Sequence, residues 1–199
     1  MAYQRKTIDL LLKRLSPDAV VPSYNNEGED VAMDMTAISV HYDGDKDAYV
    51  YGTGWACATD VLAGMFAHPK SSNCKHNYYL TNSVGIIDTK GYRGEIRAVF
   101  KHRDSLNVRI TNAAMVEWAN LPWYKRMANG SFEKIRGRLL GEFMEDPCKY
   151  APYQPGDMAF QFYLSEVQLM KLKEVEELPE GKRGANGFGS RDNGKSVIG

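Results

Sequence analysis

The sequence predicts an all-β fold built from many short strands, because short apolar and β-branched segments recur along the chain with turn-forming residues between them. These segments lie at residues 38–42, 48–53, 84–87, 96–100 and 158–164. One other segment, residues 131–145, has the 3.6-residue spacing of an amphipathic helix. The pattern therefore predicts a β domain with one inserted helix.

The first clear strands flank the turn at residues 43–47, and the strand pattern continues to Ala67. The chain before them is ambiguous. Apolar residues recur there at helical spacing, at Ile8, Leu11, Leu12 and Leu15, and Pro17 ends this pattern. Periodicity alone predicts a short helix for this segment.

Composition excludes several classes of function. The 199 residues suffice for one domain with a real core, and the balance of 25 Lys+Arg against 25 Asp+Glu gives no net charge to attract nucleic acid or an anionic membrane. The three cysteines, Cys57, Cys74 and Cys148, include no C-x-x-C pair, which favours reduced thiols over a disulfide framework or a structural zinc site. No apolar run is typical of a signal peptide or a membrane span, so we expect a cytoplasmic protein.

Residues 81–100 carry the strongest functional signal. Two apolar runs flank a polar turn that contains Asp88, Tyr92 and Gly94, and the expected local structure is a hairpin of two strands. Asp88 would stand at the mouth of a strand-lined slot, and the Tyr92 ring could lie across a bound molecule. The alternative is an ordinary hairpin in which Asp88 only makes a side-chain turn bond.

This segment resembles the third signature motif of the trimeric dUTPase family, through Asn82, residues 84–88 and residues 92–96. The other four family motifs have counterparts in the family's order. They lie at residues 31–35, 69–72, 156–161 and 183–190. The resemblance covers most of the chain except a long insert at residues 112–153.

The resemblance implies a distorted jelly-roll β-sandwich or barrel that forms a homotrimer. The implied activity is hydrolysis of dUTP to dUMP and pyrophosphate with Mg²⁺. Asp88 would be the catalytic residue that activates a water for attack on the α-phosphorus, and Asp34 would hold waters of the metal ion without binding it directly. The family begins with a strand, so we expect a strand rather than a helix near residues 8–15.

The resemblance also implies which residues bind the substrate. Asn82, Gly85 and Ile86 would read the uracil edge, and Tyr92 would pack under the deoxyribose. The other implied substrate-binding residues come from the second, fourth and fifth motifs: Lys70, Ser71, Ser72, Gln161, Arg183, Phe188, Gly189 and Ser190. In that group Phe188 would stack on the base, while Arg183 and Ser190 would hold the terminal phosphate.

Each site would be shared by three chains. One chain would supply Asp34, residues 70–72 and Gln161, a second the Asp88 segment, and a third the glycine-rich arm at residues 181–199, which we expect to be flexible. The β domain with its insert would span residues 1–180.

Several features depart from the family pattern, including Ala32 in place of a glycine and Arg191-Asp192 in place of a Thr-Gly ending. Lys70 replaces an arginine and so lacks the bidentate fork of a guanidinium. Met158 replaces a largely structural arginine of the fourth motif. Asp88 and Tyr92 are separated by one residue more than in the family, and we expect a bulge at Gly91 to absorb it.

The insert itself has a mixed pattern. Leu106, Val108 and Ile110 alternate with polar residues and predict a half-buried strand just before it. Residues 131–145 predict the helix, with Ser131 as its N-cap and an apolar stripe at Phe132, Ile135, Leu139 and Phe143. We expect Trp118, Trp123 and Tyr124 to pack the insert onto the barrel, and the alternative is a surface that binds a protein partner.

Two other functions remain open at this stage. A dCTP deaminase or bifunctional relative of the same fold would need a catalytic glutamate on the strand after the central turn, where the chain has residues 97–100 without one. A nucleotide-sensing regulatory protein would use the insert to bind its partner.

Overall fold

The computed structural model describes residues 7–177 and 179, and ten strands, three α-helices and two 3₁₀ turns lie within them. The strands are β1 (Leu11–Arg14), β2 (Met33–Thr36), β3 (Ser39–Asp43), β4 (Ala48–Gly52), β5 (Trp55–Ala58), β6 (Ala63–Pro69), β7 (Tyr78–Leu80), β8 (Gly85–Asp88), β9 (Arg97–His102) and β10 (Met158–Glu166). The helices are α1 (Leu106–Ala119), α2 (Trp123–Arg126) and α3 (Ser131–Glu145), and the 3₁₀ turns are Ser71–Lys75 and Pro147–Tyr150.

The strands form three antiparallel sheets. Sheet I is the pair β1-β5, sheet II has the order β2-β10-β6-β8, and sheet III has the order β3-β4-β9-β7. Because the chain passes repeatedly between sheets II and III, their inner faces share one apolar core. Fully buried members of that core include Met35, Tyr51, Met65, Phe100 and Phe160. The all-β prediction agrees with this architecture.

The expected strand at the start of the chain is confirmed. β1 pairs with β5, and the Arg14 guanidinium lies 4.5 Å from the centre of the Trp55 ring. Leu10 and Leu12 pack against the core, whereas Leu11 is 62% exposed. Alternation with a period of two therefore prevails over the helical spacing in this segment.

The hairpin expected at residues 81–100 is wrong. Both strands exist, but β8 pairs with β6 in sheet II while β9 pairs with β4 and β7 in sheet III. The intervening turn thus crosses from one sheet to the other. Sequence spacing alone cannot distinguish a hairpin from such a crossover, because the choice depends on partners elsewhere in the chain.

Two further local predictions of the insert need correction. Residues 106–111 begin α1 and do not form a strand, because the Ser105 hydroxyl accepts a bond from the Val108 N–H at 3.4 Å and caps the helix. Ile110 and Ala114, four residues apart, are its buried residues. The insert therefore contains two long helices, α1 and α3, that pack on each other, where one was expected.

The helix α3 has the predicted bounds, but Ser131 is not its N-cap. Gly130 holds that position with a φ of 68°, and the Ser131 hydroxyl instead donates to the Arg126 carbonyl at 3.1 Å. The Trp118 indole N–H donates to the same hydroxyl at 3.0 Å. The predicted stripe does face inward and ends in the buried Phe143.

The aromatic residues expected to attach the insert do not do so. Trp123 is 72% and Tyr124 59% exposed, and Trp118 packs on Phe132 within the insert. The attachment runs through Asp47, which accepts hydrogen bonds from the Leu106 N–H and the Tyr42 hydroxyl, each at 2.9 Å. Asp47 also forms an ion pair with Arg109 of α1.

Aromatic packing completes this attachment, which we call the insert anchor: Tyr42, Asp47, Arg109 and Phe143. The Arg109 guanidinium lies 5.5 Å from the centre of the Phe143 ring, which in turn meets Tyr42 edge to face at 5.3 Å. Burial, reinforced by the bond to Asp47, raises the pKa of Tyr42 to about 12. Its hydroxyl is therefore a donor at neutral pH.

The last strand, β10, occurs where the alternation predicts it. Phe160 and Phe162 are buried as expected, but Met158 is 41% exposed because the pairing with β2 shifts register between Met158 and Phe160. Residues 169–177 and 179 belong to a separate unit in which no helix or strand is formed by the described residues. Within the described part of the chain, none of the helices combines the length and apolar character that crossing a membrane requires.

Candidate functional site

The divergence of β8 and β9 opens a slot between sheets II and III. This cavity of 260 Å³ would not exist if the two strands paired as a hairpin. Its lining includes the end of β7 and the turns on either side of β8. The residues that line it are Ala67, Leu80, Thr81, Asn82, Gly85, Ile86, Ile87, Asp88, Tyr92, Glu95, Ile96, Arg97, Ala98 and Val99.

One side of the slot is formed by β8 and the turn before it. Gly85 is buried against Ala67, where a Cβ would lie 3.2 Å from the Ala67 Cβ and 3.4 Å from the Asn82 amide nitrogen. Ser83 adopts a positive φ of 59°, which turns the chain so that Asn82 lines the slot. The three residues predicted to read a base, Asn82, Gly85 and Ile86, therefore lie together.

Asp88 stands at the end of β8 and is exposed. Its side chain makes no hydrogen bond or ion pair with any described residue, so the alternative of a carboxylate engaged in its own turn does not apply. The backbone carbonyl of Asp88 accepts bonds from the Gly91 N–H at 3.0 Å and the Tyr92 N–H at 2.8 Å. These bonds hold the main chain of the turn and leave the carboxylate available.

The same two bonds correct the expected bulge at Gly91. The extra residue between Asp88 and Tyr92 is accommodated by a wider turn, closed by contacts to the third and fourth residues after Asp88. Gly91 does not have a positive φ, and a Cβ on it would meet no atom within 4 Å. Its glycine identity is therefore not what the turn requires.

Tyr92 lines the slot with its ring 46% exposed, and its hydroxyl donates to the Glu95 carbonyl at 3.0 Å. Glycine at position 94 permits this ring position, since a Cβ there would overlap the outer end of the Tyr92 ring and displace it. The turn thus fixes one flat ring near the slot mouth, where the sequence predicted a sugar contact.

Glu95 is a slot residue that was not among the predicted contacts, although it lies inside the recognised motif. Its carboxylate accepts the Gly54 N–H at 2.9 Å and the Arg97 guanidinium at 2.7 Å. Burial alone would raise the pKa of Glu95, but these two donors together hold it below its ordinary value. Glu95 therefore ties the slot floor to the β4–β5 turn as a carboxylate.

A second group of predicted residues lies on the outer face of sheet II. The register aligns Asp34, Gln161 and His68 across three neighbouring strands. All three line a larger, more polar cavity of 720 Å³, together with Lys70 and Ser71. Ser72, although predicted to bind phosphate, is half-buried and does not line it.

Asp34 is the buried acid of this second cavity, with 7% of its surface exposed. One of its oxygens, Oδ2, accepts the Lys70 ammonium at 2.8 Å and the Asn25 amide at 3.2 Å. The Lys70 ammonium also lies 3.6 Å from the Met158 sulfur. Gln161 donates to the Pro69 carbonyl at 3.3 Å, which fixes the start of the Lys70 segment.

The two cavities share no lining residue, so one chain brings the predicted site residues together in two separate groups. Arg183, Phe188, Gly189 and Ser190, with the predicted arm, lie outside the described residues. Within the described ranges, no three acidic, histidine or cysteine side chains are grouped closely enough to hold a metal ion. Asp34 is thus paired with the Lys70 ammonium and does not belong to a group of three such side chains among these residues.

Comparison with known proteins identifies relatives over nearly the whole chain. No protein-family model matches it. A protein named deoxyuridine 5'-triphosphate nucleotidohydrolase from Streptomyces griseus is 26% identical over 196 residues, which cover 98% of this chain and 86% of the relative. The protein of the same name from Thermobifida fusca is 28% identical over 185 residues, covering 92% and 79%.

Solved structures share the fold. The dUTPase of Staphylococcus bacteriophage 80alpha, in a form with dUpNHpp, superposes with a TM-score of 0.60 at 15% identity and covers 92% of this chain and 98% of its own. The dUTPase of phage phi11 of S. aureus, described with a structural Mg(II) ion, gives 0.54 at 16% identity and covers 86% and 99%. The expected jelly-roll type of fold is confirmed.

Proposed function

The chain is a member of the dUTPase family by sequence and by fold, and we propose that it hydrolyses dUTP to dUMP and pyrophosphate. The observation that carries the proposal is the slot between β8 and β9 with an uncommitted carboxylate, Asp88, at its mouth. A strand-lined slot suits a planar base, and a free carboxylate beside it suits activation of water.

Base recognition is supported by the hydrogen bonding of β8. This strand is the edge of sheet II, so the backbone groups on its slot side have no strand partner among the described residues. The first residues of β9 pair with β4 on one side, while β7 ends opposite Phe100 and leaves Arg97 and Ala98 open on the other. Backbone N–H and C=O groups from both strands can therefore pair with the polar edge of uracil.

The reaction at Asp88 requires only the chemistry of its own carboxylate. Held near the α-phosphorus, Asp88 accepts a proton from a water molecule as that water attacks in line and the pyrophosphate leaves. Tyr92 packs against the deoxyribose and leaves little room for a 2′-hydroxyl. The 260 Å³ slot holds a base and sugar, so the triphosphate must extend beyond it.

The second cavity supplies groups suited to that triphosphate. Lys70 carries a positive charge, and Ser71 and Gln161 offer neutral donors. Because these residues do not line the slot of the same chain, we propose that they act on a nucleotide held in the slot of another copy. Apolar side chains on the same face of sheet II support assembly of copies there: Tyr163 and Phe66, which are half-buried, and Ile86, which is exposed.

Magnesium fits this arrangement only as an ion that the nucleotide carries. Since the described residues offer no cluster of ligands, the phosphate oxygens would bind Mg²⁺ and Asp34 would hold waters of its shell. When bound, the ion neutralises charge that develops on the leaving pyrophosphate. The Lys70 ammonium, 2.8 Å from the Asp34 carboxylate, balances the charge of Asp34.

The test is an assay of pyrophosphate release from dUTP, dCTP, dTTP and UTP, with and without Mg²⁺. We expect rapid Mg²⁺-dependent release from dUTP alone. Release of ammonia from dCTP would instead identify a deaminase of the same fold. Absence of turnover with every nucleotide, combined with tight nucleotide binding, would refute the enzyme and favour a sensor.

A further inference from the structure

We infer that Thr89, together with Thr59, is a positioning residue that sets the orientation of Asp88. The inference extends the proposed function, since it concerns how the longer turn of this chain delivers the catalytic carboxylate. Thr89 follows Asp88 directly and is fully buried, with 0% of its surface exposed. A polar side chain at such a position must form hydrogen bonds, and its partners show what it fixes.

The Thr89 hydroxyl joins the Asp88 turn to the loop before β6. It lies 2.6 Å from the Thr59 hydroxyl and 2.7 Å from the Ala63 carbonyl, while the Thr59 hydroxyl lies 2.8 Å from the Val61 carbonyl. Thr59 is itself only 5% exposed. Gly64, the next residue after Ala63, is the register partner of Asp88 across β6 and β8.

The two hydroxyls carry two hydrogens for three acceptor positions. Because the two hydroxyl oxygens are only 2.6 Å apart, a hydrogen must lie between them: either Thr59 donates to Thr89 and Thr89 to Ala63, or Thr89 donates to Thr59 and Thr59 to Val61. In both arrangements the bond between the threonines is kept and only the final acceptor changes. The pair therefore acts as one unit, and loss of either hydroxyl leaves the other buried with one partner fewer.

Backbone and charged groups surround this unit and close the turn. The Thr89 carbonyl accepts the Arg93 guanidinium at 3.1 Å, and the same guanidinium donates to the Lys90 and Tyr92 carbonyls, each at 2.8 Å. These groups are on the exposed side, whereas the two threonines are the buried attachment. The longer turn is thus anchored by hydrogen bonds on both its buried and its exposed side.

Loss of the threonine hydroxyls should affect the chemical step, measured by kcat, more than substrate binding, measured by KM. The slot that holds the base is lined by neither threonine, so KM should change little when their hydroxyls are lost. A displacement of about 1 Å at the reacting carboxylate costs on the order of 10² in rate. A purely structural role would lower the melting temperature without a selective loss of kcat.

The experiment compares wild type with Thr89→Val, Thr89→Ser, Thr59→Val and the double Thr59→Val/Thr89→Val variant. Thr111→Val, in α1 of the insert, is the control for loss of a threonine hydroxyl elsewhere. We expect each single valine variant to lose about 10- to 100-fold in kcat for dUTP, with KM within about threefold. Thr89→Ser should restore most of kcat, and the double variant should be no slower than the slower single one.

A second readout does not depend on turnover. The Gly91 and Tyr92 amides donate to the Asp88 carbonyl, so their hydrogen exchange should accelerate at least about tenfold in the valine variants. Wild-type kcat with unchanged exchange in Thr89→Val would overturn the inference. If Thr89→Val does not fold, Thr59→Val decides by the same criteria. A wild type that leaves dUTP intact would refute the proposed function, and the exchange data would still decide whether the threonines fix the turn.

Discussion

The slot and the insert differ in how they are connected to the rest of the protein. The slot is enclosed by strands of two sheets, and its turn is tied to the loop before β6 by side chains and backbone from both sides. The insert consists mainly of helices with local hydrogen bonds. It is joined to the sandwich through the anchor at Asp47 and through the 3₁₀ turn Pro147–Tyr150, whose Pro147 and Tyr150 carbonyls accept hydrogen bonds from the Tyr49 and Tyr78 hydroxyls. Disturbing the slot should therefore change chemistry in a folded protein, whereas disturbing the anchor should open one segment and leave the chemistry intact.

The largest expected effect is that of Asp88→Asn. Removing the base should reduce kcat by about 10³-fold, since a positioned general base contributes on that order. Binding of dUTP should remain, because base and sugar contacts lie along β8, β9 and Tyr92. Single-turnover kinetics and calorimetric binding of a non-hydrolysable analogue measure the two quantities. Retention of a tenth or more of the wild-type kcat would show that Asp88 is not the base.

The second prediction tests the insert anchor with the Asp47→Asn variant. Asparagine tolerates the positive φ of 50° at this position, so the change removes the charge opposite Arg109 and one of the two acceptor oxygens without straining the backbone. We expect the insert to lose about 2–3 kcal/mol of stability, below the cost of a fully buried pair because both side chains keep some exposure. Hydrogen exchange in α1 and α3 should accelerate while kcat changes by less than about twofold.

The matched control for this variant is Asp43→Asn in the same turn. Asp43 pairs with Lys46, whose side chain is 71% exposed, so solvent screens the pair and its loss should leave the stability of the insert nearly unchanged. If both variants accelerate exchange in the helices equally, Asp47 is not the anchor.

A smaller effect is expected from a pair of glycine substitutions in the slot turn. Gly94→Ala should displace the Tyr92 ring from the Glu95 carbonyl and reduce discrimination between dUTP and UTP by roughly tenfold. Gly91→Ala places its methyl group in open space and should leave discrimination within about twofold. Ratios of kcat/KM for the two nucleotides give the answer. Equal behaviour of both variants would remove Tyr92 from sugar selection.

The smallest expected effect is the contribution of Glu95 to the pH dependence of stability. Because its pKa is lowered in the folded protein, Glu95 contributes stability above its unfolded pKa of about 4.3, and this contribution is lost as the pH falls through the folded value. Glu95→Gln should lower the free energy of unfolding at pH 7 by about 1 kcal/mol. Between pH 5 and pH 3, the free energy of unfolding of this variant should fall less than that of the wild type. Urea unfolding at each pH measures the difference. Glu117→Gln, whose partner Arg138 is exposed, should show neither effect.

Local sequence patterns were sufficient to locate most strands, α3 and the residues of the slot. They failed where the answer depended on distant partners. Residues 84–87 and 96–100 were correctly predicted as strands, yet their assignment to different sheets follows from pairing with β6 and β4. Apolar and polar residues alternate over too few positions at residues 106–111 to exclude a helix. The N-cap at Ser105 starts a helix there.

The candidate site likewise combines residues that a local motif identifies with residues that depend on distant partners. Asp88, Asn82 and Tyr92 were found because they lie within one short motif. Thr59 and the Asp47 anchor could not be found, since each acts through a residue at least 30 positions away. The expected trimer, the protein partner of the insert and the arm at residues 181–199 stay predictions.

The most direct test of the central claim is the fate of water oxygen during turnover. Hydrolysis of dUTP in H₂¹⁸O should place the heavy oxygen in dUMP, because a water activated by Asp88 attacks the α-phosphorus. Recovery of the label in pyrophosphate would mean that attack occurs at the next phosphorus, and it would contradict the assignment of the slot and its carboxylate.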